Sequence, residues 1–201
     1  RAEYQDFAIL YRTNAQSRAL EEALRRRNLP YMIYSGNSFF ERAEVKDMMA
    51  YFKLVVNVND DESFKRIVNK PARGIGDTSL SALTAAASNH HVPLFKAAYA
   101  DDLENFGLKP AAIKKIREFC DMIAKLCLRS TREDAYTVAA AVAMESGLLM
   151  FYKSDTSIEG QSRTANVEEL LNSVKLFIEE KHGEYVEEMQ AEGMVEDGTE
   201  L

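Results

Sequence analysis

The sequence changes character at the turn cluster Ser35-Gly36-Asn37-Ser38, and this break limits the chain to two unequal parts. Before it, Phe7 to Tyr11 (FAILY) is a continuous apolar run of strand length. Asn14 to Arg27 then reads as a helix, with Ala19, Leu20, Ala23 and Leu24 as its apolar stripe and Arg25, Arg26 and Arg27 suiting its C-terminal end. Pro30 follows, and Tyr31 to Tyr34 reads as a second strand. Strand, helix and strand within about 30 residues form a βαβ-like unit. Such a unit is too small for a core of its own, so it is expected to be the edge of a larger α/β sheet.

After the break only helical spacing remains. Val45, Met48, Met49, Phe52 and Val55 or Val56 repeat at that period, and Glu62 to Asn69 predicts a short helix broken by Pro71. Leu80, Leu83 and Ala87 mark the next helix; Ile113, Ile116, Cys120, Ile123 and Cys127 mark a longer one. Thr131 to Glu145 is alanine-rich and stops at Gly147. Val167, Leu170, Leu171, Val174, Phe177 and Ile178 give the clearest amphipathic stripe, and the end from about Ala191 is expected to fray. The expected fold class is mainly α, a helical domain with a small residual α/β edge at the N-terminus and a boundary near residue 36.

A length of 201 residues with 46% hydrophobic content suits one domain, or one domain and part of another. The chain begins at Arg1 and has no apolar signal region or membrane-length stretch, so it reads as a piece of a longer cytoplasmic protein. Cys120 and Cys127 form no CxxC pair, and His90, His91 and His182 have no ligand spacing, so no metal site is expected. The net charge of −7 is unevenly spread. Residues 1–76 hold 13 Lys and Arg against 10 Asp and Glu, whereas residues 178–201 hold one Lys against nine acids. A basic DNA-contacting surface away from the acidic end remains compatible with that distribution.

The chemistry concentrates in Pro71-Ala72-Arg73-Gly74-Ile75-Gly76-Asp77-Thr78-Ser79-Leu80. Two glycines allow a tight turn and close approach by another molecule. Asp77 and Thr78 can cap a helix beginning near Ser79. A helix N-terminus presents unpaired N–H groups and partial positive charge, which attract phosphate. The expected contacts are backbone amides around Ile75, the Thr78 or Ser79 hydroxyl, and the Arg73 or Lys70 cation, none of which specifies base sequence. A plain tight turn is the alternative. Contact with phosphate needs those amides to face outward without internal partners. Tyr11-Arg12-Thr13-Asn14 lies where open α/β sheets bind ligands, or is a solvated strand end. Phe39 and Phe40 suit base stacking, although an adjacent aromatic pair is more often core. No GxxxxGK[ST] is present and no nucleophile constellation stands out.

Three segments in order, FAILYRTNAQSRALEEAL, PYMIYSGNSFFERAEVKDMMAYFKLVVNVNDD and NKPARGIGDTSLSAL, with EGQSRTANVEELLNSVKLF later, closely resemble the UvrD/PcrA/Rep group of superfamily 1 DNA helicases. The resemblance implies that residues 1–35 are a fragment of RecA-like motor domain 2A and residues 36–201 a helical 2B accessory domain. It implies single-strand contact by Arg12 and Asn14, and duplex phosphate contact by Gly74, Ile75, Gly76 and Thr78, with Arg73 and Ser79 as neighbours. Ser35, Gly36 and Asn37 would be the hinge. The parent would unwind DNA 3′ to 5′ with ATP and Mg²⁺ in repair or replication, while the segments holding that cofactor lie outside this chain, which should be inactive alone. Partners would be the single-strand/duplex junction, the remaining helicase domains and repair proteins, with no membrane. Alternatives are a protein-docking or autoinhibitory module, or part of a helicase–nuclease subunit.

Overall fold

A computed structural model describes residues 3–11, 14–33 and 39–191. Among them are nine α-helices: α1 (Asn14–Arg26), α2 (Ala43–Val56), α3 (Asp61–Ile67), α4 (Asp77–His90), α5 (Leu94–Ala97), α6 (Pro110–Ser130), α7 (Ala135–Glu145), α8 (Leu148–Lys153) and α9 (Ile158–Ala191). The mainly helical class is as expected; seven of these helices overlap the expected ones, whereas the short α5 and α8 are not among them. Local signals set their ends. Asp60 accepts the Ser63 N–H at 3.0 Å to cap α3, Asp134 accepts the Thr137 N–H at 2.9 Å to cap α7, and Pro110 occupies the first turn of α6.

The residual α/β edge is corrected. No strand occurs among the described residues; Phe7–Tyr11 and residues 31–33 have no ladder partner. The apolar run stands in solvent, Phe7 at 69% and Leu10 at 95% exposure. An extended segment becomes a strand only when a neighbour pairs its alternating N–H and C=O groups, and none of the described residues supplies one.

α2 is the central helix, packed by α3, α6, α7 and α9. Val45, Met48, Tyr51 and Leu54 are fully buried, and so are Phe64 and Ile67 of α3 and Ile116 and Ile123 of α6. Tyr51 and Phe64 each meet the Phe119 ring edge-on, at 6.5 and 5.4 Å between centroids. Cys120 is buried in this core, and Cys127 donates to the Val55 carbonyl. Burial on several sides also takes in polar groups of α2, all partnered. Glu44 accepts from the Asn166 amide at 2.6 Å, and Asp47 takes Arg66 at 2.7 Å and the Tyr152 hydroxyl at 2.9 Å. Only the first part of the α9 stripe is core: Val167 and Leu170 are buried, whereas Leu176 and Phe177 are about half exposed. α1 lies on α9 through Arg18–Glu169 at 2.6 Å, and Glu21 accepts the Phe39 N–H at 3.0 Å.

Candidate nucleic-acid interface

The loop between α3 and α4 is set by what it turns inward. Ile75 is buried at 2% exposure, while Gly74 and Gly76 on either side are exposed. The Asn69 side-chain oxygen accepts two N–H groups, those of Arg73 at 2.7 Å and Ile75 at 3.1 Å. The Arg73 guanidinium also points inward. Its Nη1 donates towards the carbonyls of Ile67 and Lys70, both at 3.1 Å, with those of Val68 and Pro71 slightly farther. Its Nη2 donates to the Tyr51 hydroxyl and the Ser146 carbonyl, each at 2.8 Å. The cation stacks over Phe119 at 5.2 Å. The Tyr51 hydroxyl in turn donates to the Lys70 carbonyl at 2.6 Å.

Three expectations change accordingly. Arg73 does not offer its charge outward, because its donors are taken by backbone carbonyls and Tyr51. The Ile75 amide is held by Asn69, and its side chain serves as the hydrophobic peg of the loop. Lys70 is likewise committed, 3.8 Å from Asp47 and over the Phe151 ring.

What faces solvent is the start of α4. The helix begins at Asp77, two residues earlier than the sequence suggests, with Gly76 at the N-cap and no side-chain cap. Asp77 and Thr78 therefore sit inside the first turn rather than capping it. Among the described residues, the N–H groups of Gly74, Gly76, Asp77, Thr78 and Ser79 have no hydrogen-bond partner. Thr78 is exposed and Ser79 half-buried. Lys115 of α6 reaches over the loop: a Cβ at Gly74 would stand 2.5 Å from its Nζ, and Gly74 has φ +73°. The positive φ favours glycine there, whereas the exposed Lys115 tip could swing aside for a Cβ. Lys115 is exposed and has no ion-pair partner among the described residues. Free amides and a helix dipole meet solvent here, with the Lys115 ammonium over Gly74 and the Asp77 carboxylate in the same first turn; the amides and the ammonium suit an anion, and Asp77 opposes one.

Sequence reasoning missed Lys115, which arrives from a helix some forty positions on and carries no local signal. Asn69 does carry one, standing four residues before Arg73 at the end of α3, where Asn side chains take up loop N–H groups.

The other candidate residues do not join this spot. Arg12 and the hinge residues Ser35, Gly36 and Asn37 lie outside the described residues, and Asn14 opens α1. Phe39 is fully buried edge-on to Phe40 at 5.2 Å, with Arg25 4.7 Å above the Phe40 ring, so core packing accounts for the pair. The chain has no GxxxxGK[ST] loop. Among the described residues no group of three or more His, Cys, Asp or Glu is arranged to hold a metal ion. No described helix is long and apolar enough to cross a membrane.

Residues 1–192 match the family model described as the UvrD-like helicase C-terminal domain. The chain is 37% identical over 184 residues to DNA helicase II of Escherichia coli strain K12, covering 92% of this chain and 25% of that protein. It is 37% identical over 174 residues to the ATP-dependent DNA helicase PcrA of Leuconostoc citreum, covering 87% and 23%. To PcrA of Staphylococcus aureus strain COL it is 34% identical over 176 residues, covering 88% and 24%. The chain spans about a quarter of the length of these relatives.

Proposed function

The chain belongs to the family of UvrD-like helicase C-terminal domains, and from that premise we propose that it is the duplex-gripping accessory part of an ATP-dependent DNA helicase that unwinds 3′ to 5′. Residues 1–35 are then the end of motor domain 2A, and residues 36–201 the helical 2B domain, hinged near Gly36. The exposed apolar run Phe7–Tyr11 supports this division, since it has the character of a strand awaiting the rest of a sheet.

The observation that carries the duplex role is the uncapped start of α4, with free amides at Gly74 and Gly76–Ser79 and Lys115 beside them. Backbone donors at a helix N-terminus hold a phosphate by charge and direction and read no base, which is what a domain sliding along duplex ahead of a motor requires. Arg73 contributes by holding the loop in shape, and Thr78 and Ser79 by their amides and hydroxyls.

The decisive variant is Gly76→Asp in the full-length protein. A Cβ there meets nothing within 4 Å and the backbone has φ −84°, so the side chain fits without strain. Asp is a good N-cap residue; its carboxylate takes up the α4 amides and repels phosphate. Duplex affinity should fall at least about tenfold, and the salt dependence should flatten by about one counterion. Unwinding is lost while single-strand-stimulated ATP hydrolysis persists. Unchanged unwinding would instead favour a protein-docking or autoinhibitory module, for which the half-exposed Leu176 and Phe177 on α9 are the specific support.

A further inference from the structure

We infer that Asn69 is the positioning residue of this loop, an uncharged double acceptor that fixes which amides face the duplex without adding a second negative charge to that of Asp77 beside the phosphate. The inference rests on the duplex-gripping reading of the α4 start and deepens it. Between Asn69 and Asp77 the chain must bury Ile75 and yet leave the N–H groups on either side of it open. A single oxygen, Asn69 Oδ1, does this by taking alternate amides, Arg73 at 2.7 Å and Ile75 at 3.1 Å. Gly74 lies between the two captured groups with φ +73°, and its own N–H is left without a partner among the described residues. The Arg73 guanidinium closes the loop from the other side through the Lys70 and Ser146 carbonyls and the Tyr51 hydroxyl.

A carboxylate would hold the same two N–H groups at least as firmly, because hydrogen bonds to a charged acceptor are the stronger ones. Loop geometry alone therefore gives no reason to prefer Asn over Asp. Electrostatics does. Asn69 is exposed and adjoins the open amides, and the nearest basic groups in the loop, Arg73 and Lys70, already face carbonyls and Asp47. Asp77 already puts one carboxylate in the first turn of α4, so a second at residue 69 would leave the Lys115 ammonium over Gly74 facing two.

Asn69→Asp and Asn69→Ala, with Gly76→Asp as the control for the underlying reading, separate these roles in the full-length protein. Hydrogen exchange at Arg73 and Ile75 reads loop geometry, and titration with a blunt-ended DNA duplex at several salt concentrations reads function. Asn69→Asp should keep both amides protected and the melting temperature unchanged, yet bind duplex about tenfold more weakly at low salt, the deficit shrinking as salt rises. Asn69→Ala should lose amide protection and duplex affinity together, with no such recovery at high salt. The inference is overturned if Asn69→Asp binds like the parent while Gly76→Asp is impaired, if Asn69→Asp exposes the two amides, or if Asn69→Ala leaves them protected. If Gly76→Asp also binds like the parent, the duplex-gripping reading itself falls.

Discussion

Arg73→Lys distinguishes a brace from a phosphate ligand. A lysine keeps the positive charge, so a residue whose task is to meet phosphate in solvent should tolerate the change with little loss of stability. In the structure the guanidinium is a two-armed donor. One arm serves a cluster of carbonyls at the end of α3, and the other spans to the Tyr51 hydroxyl and the Ser146 carbonyl at 2.8 Å each. A lysine ammonium can occupy one of these places but not both, and it stacks less well on Phe119. Losing two hydrogen bonds from a charged donor, at the low end of about 1.5 kcal/mol each, predicts destabilisation of about 3 kcal/mol. For a domain of this size that lowers the melting temperature by roughly 6–12 °C. Urea unfolding of the chain followed by far-ultraviolet circular dichroism would measure it. Tyr51→Phe should cost about 1–2 kcal/mol, and the double variant should cost less than the sum, because the two residues share a hydrogen bond. An Arg73→Lys chain as stable as the parent, with independent effects in the double variant, would refute the brace.

Three other outcomes are expected. Phe64→Ala should destabilise by about 3–5 kcal/mol in the same unfolding assay, since it empties a fully buried site against Phe119. Asp60→Ala removes the α3 cap at a cost of about 1 kcal/mol near neutral pH. The Ser63 N–H and hydroxyl hold the Asp60 carboxyl below its ordinary 3.8, so its contribution is complete above that value and fades as pH falls through the lower native value; parent and variant should converge in acid titration of stability. Burial pushes the Cys120 thiol up to about 12, so at pH 8 it should resist a thiol reagent until the chain unfolds, and half-buried Cys127 should react first.

The helices were legible because their signals are local. The periodicity at Val45, Met48 and Leu54, the cap at Asp60 and the proline at residue 110 all act within a turn or two. The strand expectation at Phe7–Tyr11 failed for the opposite reason: pairing depends on a partner that composition cannot supply, and the described residues hold none. The loop was half legible. Its glycines and polar helix start marked the place, and Gly74 proved to need φ +73°. Which donors face solvent was another matter, since Arg73 finds its acceptors on Tyr51 and Ser146, 22 and 73 positions away.

The amino-acid sequence alone determined a helical chain, a turn built for close approach and membership of a helicase family, because periodicity, glycine and motif order are written residue by residue. Tertiary structure alone decided that Arg73 is a brace, that Ile75 is a peg, and that Lys115 stands over Gly74. A donor or cation becomes available only after packing has settled which of its neighbours have consumed it, and those neighbours come from distant parts of the chain.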